Sequence, residues 1–192
     1  LLGSASTALL QNSSESLAGR LAIHEMTPFH FTEVAAIKPW TDHWWRGGFP
    51  EATLAQSDDQ AGEWVRHFSR TYVERDLPAI GVRTTRNILW RFFTMLAHRH
   101  SQLWNAQQLA GSLGVSSPTV SRYLDHLVQA FLVRELPPFH KNIGKRLVKK
   151  PKVYIRDSGI LHSLLRVPSF ESLTAHPMLG SSFEGYVVEQ II

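Results

Sequence analysis

Between Lys141 and Arg156 the chain carries Lys141, Lys145, Arg146, Lys149, Lys150, Lys152 and Arg156, and not one acid. This stretch is +7 in a chain of net +4, which leaves −3 for the remainder, and it holds five of the six lysines. Cations gathered on an otherwise slightly acidic body suit a polyanionic partner, since they attract phosphates and displace condensed counterions. The alternatives are a solvated loop or a contact with an acidic domain. Upstream, Ser117, Thr119, Ser121 and Arg122 open a helical pattern and could face base edges. Arg122 could pair with guanine, but Asp125 and His126 follow it, so base-reading chemistry is thin.

Other constellations argue against an enzyme within this chain. The phosphate-cradling pattern G-x-x-x-x-G-K-[ST] does not occur; the only Gly-Lys pair is Gly144-Lys145, with Phe139 where the first glycine belongs. Neither H-E-x-x-H nor G-x-S-x-G is present. His98-Arg99-His100 sends its two imidazoles to different sides of a helix, a poor metal clamp, and no metal site is expected. Glu74-Arg75-Asp76 reads more readily as a salt-bridged helix end than as a reactive set. There are no cysteines, so disulfides and Cys-ligated metals are out. A chain that neither binds nor hydrolyses ATP is the expectation.

The elements that must carry these residues are predicted from periodicity. Residues 1–57 read as irregular, with a turn at Arg46-Gly47-Gly48-Phe49-Pro50. Trp64, Val65, Phe68 and Tyr72 predict a helix from Gln60 to Leu77, stopped by Pro78. Ile88, Leu89, Phe92, Phe93 and Leu96 share one face of a helix from Arg86 to Arg99. A short helix follows from Ala106 to Leu113, capped by Asn105 with Gln108 in a capping box, and ended by Gly114. A second begins at a Ser117 cap with Pro118 in first position, burying Val120, Tyr123, Leu124, Leu127, Val128 and Phe131. Two short helices joined by a tight glycine turn predict a helix-turn-helix. Leu132–Leu136 and Val153–Ile155 read as strands, which puts the basic tract in the wing of a winged helix.

With 43% hydrophobic residues, 19% charged and six tryptophans, the 192 residues can bury a real core. No apolar run is long enough to span a membrane, and a cytoplasmic location is expected. Leu1-Leu2-Gly3-Ser4 opens like the end of a strand, and the apolar pattern from Phe183 stops short at Ile192. The chain reads as an internal piece of a longer protein. Left without its partner domain, the C-terminal apolar stripe would seek burial in a second chain or against the winged helix, and a homodimer contact through Val187, Val188, Ile191 and Ile192 is expected.

Several short motifs, in order, carry a resemblance: Ser14-Glu15-Ser16-Leu17-Ala18-Gly19-Arg20, Arg46-Gly47-Gly48-Phe49-Pro50-Glu51, Tyr72-Val73-Glu74-Arg75-Asp76-Leu77-Pro78, the helix-turn-helix, Lys149-Lys150-Pro151-Lys152-Val153-Tyr154 and Asp157-Ser158-Gly159. Together they resemble a large prokaryotic family of AAA+ superfamily ATPases with a C-terminal domain of unknown function. That resemblance implies a P-loop ATPase domain first, then a winged helix, then a region similar to restriction endonucleases. It implies ATP and Mg as cofactors of the whole protein, though none for this piece. It implies sensor roles for Ser4 and Arg20, the latter stabilising phosphate charge, and a nuclease-like acid at Glu184.

The expected architecture is mainly α. It comprises the end of an ATPase domain over 1–57, a linking helix over 58–85, a winged helix over 86–157 and the start of a nuclease-like domain over 158–192. The expected function is a DNA-contacting and coupling region of the ATPase. Its contacts would be mostly non-specific, from Ser117, Ser121, Arg122, Lys145, Arg146, Lys149, Lys150 and Lys152. The alternatives are a protein-interaction or oligomer-packing module with no DNA role, and part of an ATPase-controlled nuclease whose active site lies outside the chain.

Overall fold

The computed structural model describes residues 25–79, 82, 86–139 and 150–192. It is mainly helical, with one small antiparallel sheet. Residues read from sequence as irregular form three short helices, α1 (Phe31–Val34), α2 (Trp40–Arg46) and α3 (Pro50–Thr53). The aromatic cluster of α2 coils because Trp44 and His43 both find a buried site on one face. The Gly-Gly turn then ends it, with Gly47 at φ +83°.

α4 (Asp58–Thr71) starts at Ser57, whose hydroxyl accepts the Gln60 N–H, and Asp58 and Asp59 complement its positive end. Trp64, Phe68 and Tyr72 stack one turn apart, with ring centroids 4.9 and 5.7 Å from one another in sequence. The backbone then widens into a π-helical turn over Tyr72–Asp76, which buries Tyr72 and Val73 side by side before the short α5 (Leu77–Ala79). Glu74-Arg75-Asp76 is a salt-bridged set, with Arg70 to Glu74 and Arg75 to Asp76.

α6 (Arg86–Ala97) places Leu89, Phe92, Phe93 and Leu96 at the centre of the core. β1 (Gln102–Leu103) leads to α7 (Ala106–Leu113), whose N–H of Gln107 is accepted by Asn105; Gln108 takes no part in that cap. Gly114 closes α7 in the left-handed conformation, φ 70°. The cap of α8 (Ser117–Gln129) is Ser116 rather than Ser117, so Pro118 stands one position further in. Val120, Tyr123, Leu124 and Leu127 are its buried face, whereas Phe131 lies beyond it and stays partly exposed.

β2 (Val133–Leu136) and β3 (Lys152–Ile155) pair antiparallel, Arg134 opposite Tyr154, and β1 adds to the other edge of β3. Val133, Val153 and Ile155 face the helices; Arg134, Lys152 and Tyr154 face the other way. α9 (Ser158–Leu164), α10 (Phe170–Thr174) and α11 (Leu179–Ile191) complete the fold. One continuous buried cluster draws on Trp44, Val65, Phe92, Leu124 and Leu161 together.

Candidate functional site

The face first in line for a nucleic acid is the start of α8. Ser117 and Ser121 are half-buried there and Arg122 is exposed. Thr119 is spent on the cap, its hydroxyl 2.9 Å from that of Ser116. Asp125, one turn beyond Arg122, is also exposed and offsets its charge. Burial, then the neighbouring Arg122, push the His126 imidazole below its ordinary range, so this side chain adds no cation.

The basic tract divides in two. Lys141, Lys145, Arg146 and Lys149 lie outside the described residues, as do Ser4 and Arg20. Of the rest, Lys150 is exposed, whereas Lys152, half-buried, and Arg156, buried at its side chain, are both engaged in ion pairs of the fold. Lys152 Nζ lies 2.7 Å from Glu184. Arg156 is 8% exposed at its side chain, pairs with Glu25 and Glu189, and lies over the Phe131 ring. Arg134 makes a bidentate pair with the same Glu189. Thus the outward face of the sheet presents three cations, and three acids meet them: Glu184 and Glu189 from α11, and Glu25 on Arg156.

Glu184, named from sequence as a nuclease-like acid, sits in that pairing. It accepts from Lys152 and from Tyr154, the phenol at 2.5 Å. Burial pushes its carboxyl up, yet hydrogen bonds from Lys152, Tyr154 and Ser101 outweigh this and hold it below its ordinary range. Among the described residues no three His, Asp or Glu side chains are grouped to hold a metal ion.

A Ser–His pair that the sequence did not suggest is present deeper in. Ser182 Oγ lies 2.7 Å from His162 Nε2, while His162 Nδ1 is 3.0 Å from the Trp45 carbonyl. A carbonyl only accepts, so Nδ1 carries the hydrogen and Nε2 accepts from Ser182, whose oxygen in turn accepts from the Trp44 indole. This tautomer is the one a serine nucleophile would need. Ser182 has no exposure and His162 only 2%, so no substrate reaches either. The pair is a packing device.

A cavity of about 370 Å³ opens between α2, the sheet and α11, bordered by Glu25, His43, Arg134, Arg156, Asp157 and Glu189. Its His43 and Asp157 side chains are already engaged. His43 sits between the Tyr186 hydroxyl and the Phe29 carbonyl. Asp157 caps α9 through the Ile160 N–H and also accepts the Gly48 N–H at 2.8 Å. Burial pushes its carboxyl up to about 6, against three backbone hydrogen bonds that lower it.

Fold and site define a mainly helical protein built on a small three-stranded sheet, with a charged but internally paired outer sheet face and no assembled catalytic or metal centre among the described residues. No helix among them is long and apolar enough to cross a membrane. The chain belongs to the family of the domain of unknown function DUF8612, which matches residues 37–171. It is 43% identical over 192 residues to the uncharacterized protein Rv2008c of Mycobacterium tuberculosis and equally to the uncharacterized protein Mb2031c of Mycobacterium bovis. The chain spans 43% of the length of these relatives, all of its own residues being covered. No solved structure matches it.

This membership corrects the family read from the short motifs. The match is to DUF8612 rather than to the AAA+ ATPases, and the AAA+ and ATP-binding assignments read from the motifs find no support in it. The motifs misled for a physical reason. Arg46-Gly47-Gly48 and Asp157-Ser158-Gly159 interlock here as a structural joint, with Gly48 bound to Asp157 and Gly159 against the Arg46 carbonyl, a role that involves no nucleotide chemistry.

Proposed function

We propose that this chain is a winged-helix module that contacts the phosphate backbone of duplex DNA with little regard to sequence. The observation that carries the reading is the order of elements: helix α6, strand β1, α7, a glycine turn, α8, then β2 and β3, with the sheet ordered β1-β3-β2. That order supports a helix-turn-helix followed by a wing, and in sequence Lys141, Lys145, Arg146, Lys149 and Lys150 fall between β2 and β3. Arg122 adds one cation at the start of α8; Ser117 and Ser121 add neutral donors to phosphate.

Fluorescence anisotropy of labelled random duplexes at several salt concentrations tests this. Binding is expected at the micromolar level, with a log–log salt slope of roughly −3. Replacing Lys149 and Lys150 together by Ala lowers the slope by roughly two and weakens all duplexes alike. Lys152→Ala leaves the slope unchanged, because that ammonium faces Glu184. No binding at low salt, or binding indifferent to the double lysine change, overturns the reading.

A second reading, an oligomer-packing module with no DNA role, is favoured by one feature: Ile191 and Ile192 keep 77% and 60% of their exposure. On this reading Val187, Val188, Ile191 and Ile192 meet a second copy. Sedimentation then gives a dimer that Val188→Ser with Ile191→Ser dissolves; a monomer in both cases rules it out.

A further inference from the structure

The residues that α11 buries are Ser182, Gly185 and Tyr186, while Phe183, Ile191 and Ile192 keep 41%, 77% and 60% of their exposure. Inward, the helix sets Ser182 and Gly185 beside Tyr186, which joins the hydrophobic core, with Leu179 and Val187 packed against it. Polar contacts add to that apolar hold. Three buried histidines, from three different elements, converge on one turn of α11: His162 of α9 on Ser182, His43 of α2 on Tyr186, and His100, just after α6, on Gly185. The His100 contact is so close that a Cβ on Gly185 would lie 2.2 Å from Nε2.

Each imidazole is fixed in its neutral form by its partners. The Ile155 N–H donates to His100 Nδ1 at 3.0 Å, so a proton there would set two N–H groups face to face. His100 Nε2 has no well-formed partner, with the Ser181 carbonyl as its closest help. A proton on His162 Nε2 would strand the Ser182 hydroxyl, whose oxygen already accepts from Trp44. One on His43 Nδ1 would displace the hydrogen of Tyr186.

We propose that α11 is an acid-released latch: protonation of the imidazoles that grip it frees this helix while the rest of the fold stays closed. Release uncovers the outer face of the sheet, because Glu184 leaves Lys152 and Glu189 leaves Arg134 and Arg156 together, with Glu25 remaining on Arg156. The charged and titratable neighbours favour this sequence of events. His100 faces His162, Tyr154 and Glu184; His162 faces His176; His43 faces His30, Glu33 and Tyr186. Glu184 is flanked by Lys152 and Tyr154, and Glu189 by Arg134, Arg156 and Asp157. Burial is the largest influence on all three histidines, and it opposes their charging.

Hydrogen exchange of the whole chain, read by mass spectrometry at pH 7, 6, 5 and 4.5 and corrected for the intrinsic rate, tests the latch. Between pH 7 and pH 5 the segment 179–191 is expected to lose at least about tenfold in protection, while 86–97 and 117–129 keep theirs. A variant that keeps the acceptors but cannot titrate, His100→Asn with His162→Gln, retains protection of 179–191 at pH 5. Glu189→Gln loosens 179–191 at pH 7 without changing the midpoint pH. If all segments open together, or 179–191 stays protected down to pH 4.5, the latch does not exist. If the double variant still opens at pH 5, the imidazoles are not its trigger.

Discussion

Gly159→Ala is expected to cost this fold about 3–5 kcal/mol, enough to unfold much of the population. A Cβ at Gly159 would stand 2.1 Å from the backbone oxygen of Arg46 and 2.7 Å from its carbonyl carbon. Backbone cannot swing aside as a long side chain can. Gly47, directly opposite, is fixed for two reasons: its φ of +83° disfavours any L side chain, and its Cβ would lie 2.3 Å from Asp157 Oδ1. Arg46-Gly47-Gly48 and Asp157-Ser158-Gly159 therefore close on each other, with the Gly48 N–H bound to Asp157 at the centre. Gly111→Ala is the control. Nothing lies within 4 Å of its Cβ position on α7, so this change is expected to raise stability by about 0.5–1 kcal/mol. Urea unfolding followed by circular dichroism measures both, and equal midpoints for the two variants would refute the account.

Acidification from pH 6.5 to 4 is expected to lower global stability by about 3 kcal/mol, as the net of opposed contributions. Burial holds His100 and His162 down to about 4. A folded-state value below the ordinary 6.5 means stability that is present above pH 6.5 and lost as pH falls towards 4, about 3 kcal/mol for each histidine. Asp157 works the other way. Burial pushes its carboxyl from 3.8 up to about 6. Its contribution is fully present below 3.8 and lost as pH rises through 6, so acid returns about 3 kcal/mol. Asp157→Asn removes that return and steepens the acid decline; His100→Asn with His162→Gln flattens or reverses it. Unfolding free energies at half-unit steps of pH decide the matter. An Asp157→Asn profile parallel to the parent would show that this carboxyl takes no part.

Much of the central region was legible because its punctuation is local. Asn105 and Gly114 bracket α7 at the residues periodicity indicates, and the buried stripe of α8 follows from Val120, Tyr123, Leu124 and Leu127. The shift of the cap from Ser117 to Ser116 shows the limit: two adjacent serines before a proline fit the same pattern, and only backbone conformation separates them. α2 escaped detection because seven residues give no helical period, and its packing partners, Ser182 and Phe183, lie far along the chain. The charge of the basic tract was plain in sequence, but its availability was not. Whether a lysine is free depends on what faces it across the fold, and Glu184 and Glu189 come from the last helix. Histidine was the least legible residue of all. Its type fits surface and core equally, and only the converging partners of His43, His100 and His162 reveal their common task.

The contacts of α2 with α11 join residues 138 and 143 positions apart, Trp44 to Ser182 and His43 to Tyr186. By contrast, α7 and α8 are neighbours in both sequence and space. Closing so long a loop costs chain entropy before any bond rewards it. As the chain leaves the ribosome, α6 to β2 can therefore settle early, while α2 waits for its partners: Trp45 for His162 and Phe170, and His43 and Trp44 also for α11. The contacts that the proposed latch would release are thus ones that synthesis closes late, and in that interval the Trp44 indole, still short of Ser182 and Phe183, is where a chaperone would take hold.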